Sequence, residues 1–550
     1  MLRVDDCVVL RRVSMGGGEE NPEPPIPTQS LNRRASRISN LKNELVLHEA
    51  VIKNDVEAVR EVMKEPLDVN SRNNYGRAPI HWASSRGNIE IMEMLIAGKC
   101  DIEAKDKYGM RPILMAAWHG HREAVQLLIN HGADVSAVNK KQYTLLMCAA
   151  RNNRLEVVNF LLDNLDRVDL DAIDIDHQTA LHHAAIGGHI EIVQKLVHVG
   201  ANPTTVDKRG DSPLHSACAK GHLEVVDFLL HHDANILVQD EDGNTPLHVA
   251  VENRQTHVVQ LLLEDGNPTD LQNNKGQTPL HISASQGSKG ITELLVQYGC
   301  DINAQSKNGN TALHNACLSN NAHIVEFLLS KNADINALNC RLQSPIHIAA
   351  EQGYTEICKL LLAAGANIQQ REQGGKTPLY IAARGSFTAI VDMIIRTARL
   401  EYPSNSNDNH AITRRQSRWS QGPDFDLLGP KENNERFLEV LWKLSHKYLE
   451  PGEWKKLAYR WNFTAEQIKA IEHQYTGKRG PSSYKEHCHR MLRIWVDSLP
   501  PTVDAVQELA ESLIAINKEK LADTIIRKMQ EPDNPRQKTK HCCDKECIVM

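Results

Sequence analysis

Histidine recurs along this chain at a fixed interval. His48, His81, His182, His215, His248, His281, His314 and His347 lie 33 residues, or a multiple of 33, apart, except that the span from His81 to His182 is two residues longer. A row of imidazoles could ligate metal. None of these, however, comes with a Cys or Asp cluster at ligand spacing, and a period of this length puts each one on a separate unit. The expected role is therefore helix capping, with a hydrogen bond across to the neighbouring unit. Cysteine makes a second cluster, Cys542-Cys543 and Cys547 beside His541. It lacks the C-x-x-C spacing of a zinc site. Its last four residues, Cys547-Ile548-Val549-Met550, instead fit C-a-a-X with the farnesyl type of final residue. One lipid chain holds a membrane weakly, so acylation of Cys542 or Cys543, or the basic Arg536, Lys538 and Lys540, would supply a second signal. Paired arginines precede serine at Arg11-Arg12-Val13-Ser14, Arg33-Arg34-Ala35-Ser36 and Arg414-Arg415-Gln416-Ser417. That pattern makes Ser14, Ser36 and Ser417 candidates for a basophilic kinase. A Gly-rich phosphate loop, a G-x-S-x-G and an H-E-x-x-H are all missing from the sequence. The expectation is no catalytic residue, no cofactor, no metal and no enzyme.

The elements that carry the histidines repeat with them. Gly210-Asp211-Ser212-Pro213-Leu214-His215-Ser216-Ala217 returns as Gly243-Asn244-Thr245-Pro246-Leu247-His248-Val249-Ala250, then as Gly276-Gln277-Thr278-Pro279-Leu280-His281. Ser or Thr can cap a helix, Pro is tolerated in its first turn, and Leu and Ala fall on one face. A second amphipathic helix follows, as in Gly221-His222-Leu223-Glu224-Val225-Val226 with Leu229-Leu230. Gly132, Gly200, Gly299 and Gly365 stand just past such helices, where a left-handed residue is wanted. Counting the Pro slot gives eleven units, at Val46, Pro79, Pro112, Leu145, Ala180, Pro213, Pro246, Pro279, Ala312, Pro345 and Pro378. The two extra residues between Leu145 and Ala180 are expected near Asn164-Leu165-Asp166-Arg167. The first unit (Leu45-Val46-Leu47-His48) lacks the cap and the Pro. The third (Arg111-Pro112-Ile113-Leu114) and fourth (Thr144-Leu145-Leu146-Met147) lack the histidine, which predicts weaker capping there, and the last has Tyr380 in its place. This stretch resembles an ankyrin-repeat array, in which each unit is two antiparallel helices and an extended hairpin finger, and units bury their apolar faces only by stacking.

Bulk properties set limits. At 550 residues the chain is too long for one ordinary core. A formal net charge of -6 gives no argument for nucleic acid, and 5% aromatic content suits helical stacks filled by aliphatics. The start, Met1-Leu2-Arg3-Val4-Asp5-Asp6, has no apolar run of the secretory kind, and no apolar run reaches bilayer length. Twelve cysteines, scattered singly except at the end, fit buried thiols in a reducing compartment. The expected location is cytoplasmic, with peripheral membrane association through the tail.

Residues 1–42, with Gly16-Gly17-Gly18 and Pro22-Glu23-Pro24-Pro25, are expected to be disordered, the array to span 43–398, and a linker 399–425. From there the period is lost and Trp and Lys appear. Six amphipathic helices are expected: one from Glu435 to Tyr448; a short one with Trp454 and Leu457; one opened by the capping box Thr464-Ala465-Glu466-Gln467; one opened by Ser483-Tyr484-Lys485-Glu486; one capped by Thr502; and a last with Leu521, Ile525 and Ile526. Trp454-Lys455-Lys456-Leu457-Ala458, Trp461, Ile468, Ile471-Glu472 and Trp495 resemble a death domain, here 426–530, followed by a flexible tail, 531–550. The fold class is therefore all-α, an ankyrin solenoid with hairpin fingers ahead of a six-helix death-domain-like bundle. The arrangement is similar to the ankyrin repeat and death domain-containing protein 1 family.

That resemblance implies a non-enzymatic signal-transduction adaptor, the array taking a protein client and the bundle meeting other death-domain proteins. The alternative is a lipid-anchored scaffold in which the bundle caps the solenoid. Finger tips and exposed slots of the first helices line the binding face of ankyrin arrays. On these, Tyr75 and Tyr108 share a slot, and Trp82 and Trp118 lie on neighbouring first helices. They are the candidate anchors, against a competing role in packing between units. In the bundle, Lys455, Lys456 and Arg460 are the candidate basic patch for homotypic contact, against a solvated helix face. Ankyrin arrays as a class are also substrates of an asparaginyl hydroxylase that reads Leu, five residues, Asp, an apolar residue, Asn. Asn303 and Asn336 match that pattern, which the repeat itself partly imposes.

Overall fold

The computed structural model describes residues 28–165, 168–232, 234–401, 431–474, 483–499 and 503–530. The chain divides into two compact units, residues 1–202 and residues 203–550.

Each repeat opens on the slot read from the sequence. In the first unit the inner helices are Pro79–Arg86, Pro112–His119, Leu145–Arg151 and Ala180–Gly187. The second unit contributes Pro213–Lys220, Pro246–Glu252, Pro279–Gln286, Ala312–Leu318, Pro345–Gln352 and Pro378–Arg384. Each is followed by an antiparallel outer helix such as Ile89–Ala97 or Leu223–Leu230. Apart from the last outer helix, Thr388–Glu401, these helices have only seven to ten residues, too few to persist alone, so packing must hold them. Within each unit, consecutive inner helices pack on one another and consecutive outer helices do likewise. The shared seam buries Ile80, Ala83, Ile113, Ala116, Leu146 and Leu181, and on the outer side Ile91, Met92, Val125 and Leu128. Burying an Ile, Leu, Val or Met side chain stabilises by about 1.5–3 kcal/mol, and here most of that gain exists only when a neighbour is present.

The first repeat departs from expectation. Its leading helix runs Thr28–Lys53, so residues 28–42, expected to be disordered, are helical. The reason is that Leu47, Ala50 and Val51 anchor its last turns in the core, and the upstream stretch, Arg and Ser included, carries no residue that would stop a helix. Asp166 and Arg167, at the expected insertion, lie outside the described residues. The preceding helix ends at Asn164.

The fingers are tight turns, and no strand is assigned among the described residues. Asn73 shows how one is built. Its Oδ1 accepts from the backbone N–H of Tyr75 (2.9 Å) and of Arg77 (3.0 Å), while Gly76 N–H donates to Asn73 O at 2.8 Å. Asp106 and Asn139 repeat the arrangement one and two units on. Each finger joins the next by a backbone bond, Lys107 N to Tyr75 O at 2.9 Å and Lys140 N to Tyr108 O at 3.0 Å. Side-chain steps add to it, Asp101 N to Asn70 Oδ1 at 2.6 Å and Asp134 N to Glu103 Oε1 at 2.9 Å.

The bundle has the six helices expected. They are Lys431–Lys443 continuing into a π-helical turn at Leu444–Tyr448, Glu453–Arg460, Ala465–His473, Ser483–Asp497, Ala505–Ala515 and Glu519–Gln530. Phe437, Trp454 and Trp495 are fully buried, and Trp461 stacks on Trp495 with ring centroids 4.0 Å apart. The Trp461 indole N–H donates to Ser512 Oγ at 2.8 Å, which removes the cost of burying that polar atom. The capping box at Thr464 is present, with Gln467 N donating to Thr464 Oγ1 (3.2 Å) and Thr464 N to Gln467 Oε1 (3.0 Å). The fifth helix is capped by Asp504, whose Oδ1 accepts from Val506 N at 2.9 Å, rather than by Thr502, which lies outside the described residues. The carboxylate stands at the residue directly before the helix, where the orphan N–H groups are.

Candidate protein-binding surfaces

The histidines come first, because they decide whether the seams hold chemistry or structure. In the inner helix starting at Pro246, Thr245 Oγ1 donates to His248 Nδ1 at 2.8 Å, and Thr245 N also points at Nδ1, at 3.3 Å. The far nitrogen, Nε2, donates to Gln277 O of the next repeat at 3.0 Å. That arrangement needs a neutral ring with its proton on Nε2. The same bridge runs from His81 to Met110 O (3.1 Å), His215 to Asn244 O (3.1 Å), His281 to Asn310 O (2.8 Å), His314 to Gln343 O (3.0 Å) and His347 to Gln370 O (3.1 Å). His48 reaches Ser71 O at 3.0 Å. Burial pushes the imidazoles of His48, His81, His248, His281 and His347 below the ordinary value, and that of His314 to about 4. No group of side chains able to hold a metal ion occurs among the described residues.

Where the motif histidine is replaced, other contacts appear. Leu114 and Met147 fill its place and are buried. The fourth repeat is still capped, Met147 N donating to Thr144 Oγ1 at 3.2 Å. In the third, Arg111 makes no cap but pairs with Glu103 and, at 2.9 Å, with Asp134. A buried cluster joins repeats four and five. His183 Nε2 donates to Asp174 Oδ2 at 3.0 Å, Arg151 lies 3.2 Å from its Nδ1, and the Tyr143 ring packs edge-on. Burial holds the His183 pKa at about 4. With both ring nitrogens occupied and the ring sealed from solvent, this pair is a seam and not a catalytic base.

The candidate anchors separate. Tyr75 and Tyr108 are exposed on adjacent finger tips, Tyr108 at 58%. Trp82 is half-buried in the middle of its helix, with the Arg77 guanidinium 5.0 Å from its ring centroid, and its indole nitrogen has no partner among the described residues. Trp118 is also half-buried, but stands at the last turn of its helix, where its carbonyl accepts from Arg154 Nε at 3.2 Å. Met115, not Trp118, occupies the slot equivalent to Trp82. Asn303 and Asn336 are exposed, and each side chain holds the next repeat: Asp334 N donates to Asn303 Oδ1 and Asn367 N to Asn336 Oδ1, both at 2.8 Å.

In the bundle, the three candidate cations do not form one patch. Lys455 turns to pair with Glu472 of the third helix. Lys456 and Arg460 lie four residues apart on an exposed face beside Tyr459. Cys148, Cys218, Cys300, Cys317, Cys358 and Cys488 are buried and free, as the scattered pattern implied. Burial raises their thiols, Cys148 and Cys358 to about 12. Ser36 lies in the Thr28–Lys53 helix. Ser14, Ser417, Cys542, Cys543 and Cys547 lie outside the described residues.

The alternative reading has the bundle capping the solenoid, but sequence reasoning named none of the residues that make this contact. The last repeat, Pro378–Arg384 and Thr388–Glu401, packs on the third and fourth bundle helices. Thr377 Oγ1 donates to Glu466 Oε1 at 2.6 Å, Arg399 donates to Ser498 Oγ and Trp461 O at 2.8 Å each, and its guanidinium lies 4.1 Å from the Phe463 ring centroid. Arg490 pairs with Asp392 at 2.8 Å and donates to Thr388 O, and Arg396 pairs with Asp497 at 2.5 Å. Burial lowers the Arg399 pKa to about 10. Two signals could have found this contact. Tyr380 replaces the seam histidine, and the final helix carries Asp392, Arg396 and Arg399 one turn apart on one side.

Comparison with known families agrees with this anatomy. Residues 47–139, 116–207, 199–270, 266–339 and 334–404 each match the family model described as ankyrin repeats (3 copies), and residues 440–529 match the death domain. Both are protein-interaction modules without catalytic machinery. No described helix is long and apolar enough to cross a membrane.

Proposed function

We propose, from the premise that the chain belongs to the ankyrin-repeat family and carries a death domain, that it is an adaptor in intracellular signalling. The array takes a protein client on its fingers and inner helices, and the bundle recruits another death domain. The observation that carries this reading is the exposure of Tyr75 and Tyr108 on neighbouring finger tips beside the half-buried Trp82 and Trp118. Large aromatics of low conformational entropy are the usual anchors of an interface. Alanine at Trp82 and Trp118 together is expected to remove at least one partner from a quantitative pull-down. An unchanged set of partners would end the client reading.

A second role is favoured by the contact between the last repeat and the bundle. A terminal repeat needs a cover for its open apolar face, and the bundle supplies it with partners for both helices of that repeat, Glu466 for Thr377, Trp461 O for Arg399 and Arg490 for Asp392. The bundle thus serves as the cap of the second unit as well as a recruiting domain. Within this reading Cys547 is prenylated, with Cys542 or Cys543 or nearby lysines as the second membrane signal, and Ser14, Ser36 and Ser417 are phosphorylated. Asn303 and Asn336 are sites for an asparaginyl hydroxylase. Mass spectrometry of the protein isolated from cells tests all three modifications.

A further inference from the structure

Charge is unevenly shared between the two faces of repeats two to four. Three segments hold the finger tips and inner helices of these repeats: 72–88, 105–121 and 138–154. Together they contain ten Lys and Arg residues and one acid, Asp106. That acid is buried and paired with Arg77 at 3.0 Å. The equivalent segment of repeat seven, 239–255, has four acids and one Arg. The other carboxylates of repeats two to four lie on outer helices, as Glu90, Glu93, Glu123 and Glu156 do, or at the bases of the fingers, where Glu103 and Asp134 pair with Arg111 and Asp101 lies 4.0 Å from Arg72.

Most of this positive charge is not neutralised. Lys105, Lys107, Lys140 and Lys141 are exposed on successive fingers, and Arg86 is exposed at the end of its inner helix. Among the described residues none of the five makes an ion pair. Arg151 and Arg154 are engaged by a ring nitrogen and a carbonyl oxygen, not by acids. His119, beside Trp118, registers the resulting potential. Burial lowers its pKa first, and His121, Arg154, Arg77 and Arg86 lower it further. Tyr75, Tyr108, Trp82 and Trp118 stand among these cations.

We infer that repeats two to four are a docking surface for an acidic peptide segment, one rich in Asp and Glu with apolar residues between them. Its carboxylates meet Lys105, Lys107, Lys140, Lys141 and Arg86, and its apolar side chains lie against the tyrosines and tryptophans. This rests on the client reading above and specifies its partner. Unpaired cations spaced one repeat apart steer an extended anionic chain and select it by register. Interleaved aromatic rings give such a chain apolar contacts between its charges.

The test uses the full chain and a fluorescent peptide of about 16 residues, half of them Asp and Glu, the rest Leu, Tyr and Gly, read by anisotropy. The expected result is saturable binding that weakens as salt rises. It should drop about tenfold or more in Lys107→Glu/Lys140→Glu, whose unchanged circular dichroism shows that the array is folded. A matched peptide with Asn and Gln in place of the acids should not bind. Equal binding of the two peptides overturns the inference, and so does indifference to the charge reversal. Tighter binding of a labelled thymidine oligonucleotide than of the acidic peptide also overturns it. The Lys pair and the Trp pair separate the two claims. Partners lost with Trp82→Ala/Trp118→Ala but kept by Lys107→Glu/Lys140→Glu would leave the client reading standing and sink the acidic one. Partners kept by both would sink the client reading itself.

Discussion

At the scale of single residues, the neutral imidazole is the working part. Six seam histidines, His48, His81, His248, His281, His314 and His347, have folded-state pKa values below the ordinary 6.5, with burial the largest cause in each. The folded chain therefore binds fewer protons than the unfolded one. The linkage is fully favourable above the unfolded value and is lost as pH falls from about 6.5 toward the folded value, about 4 for His314. For that residue alone the loss is on the order of 3 kcal/mol. The array is expected to lose stability steadily between pH 7.5 and pH 5, so that its urea midpoint, followed by circular dichroism, falls as the pH is lowered. A midpoint flat across that interval would mean the seams accept charged rings. These histidines were legible in the sequence because their spacing and their Ser or Thr partner are both local. The Asn and Asp residues that open the fingers recur at the same period, at Asn73, Asp106, Asn139, Asp207, Asp240, Asn273 and Asn339, and were overlooked. Their meaning appears only once the turn closes and two N–H groups converge on one oxygen.

At the scale of elements, helices were more legible than the joints between them. Inner helices begin at the Pro slot because a cap, a Pro and an apolar stripe coincide there, and all three are short-range. The helix from Thr28 was missed because nothing local requires it. It is fixed at its far end by Leu47 and Val51. The basic patch of the bundle was misjudged for a related reason, since neighbours in sequence such as Lys455 and Lys456 point about 100° apart on a helix. Fingers allow a sharp prediction. Gly109 has φ +76°, and a Cβ there would come 2.7 Å from Lys140 N, the atom that ties this finger to the next. Gly109→Ala is expected to cost about 2–3 kcal/mol, combining the left-handed penalty with displacement of that bond. Thermal unfolding would show it as a drop of several degrees in the first transition. An unchanged melting profile would mean the tie between fingers contributes nothing.

At the scale of the molecule, the repeat period announced the array and the change of composition announced the bundle. A contact between them was foreseen only as the alternative in which the bundle caps the array, and its residues were not. It depends on residues about a hundred positions apart, Asp392 with Arg490 and Arg399 with Ser498, which no periodicity links. Arg399→Ala removes two hydrogen bonds and a cation–π contact from a partly dehydrated site and is expected to cost about 2–4 kcal/mol. Calorimetry should then resolve the bundle and the last repeats as separate transitions where the parent chain melts them together. A single unshifted transition in the variant would show that the contact does not couple them.

The latch formed by Arg396, Arg399 and Arg490 is expected to hold these two parts together even without the peptide connection between them. A protease that cuts once between 402 and 430 would release no free fragment, because the two products are already gripped side by side. Such a nicked protein would run as two bands when denatured and still migrate as one particle when native.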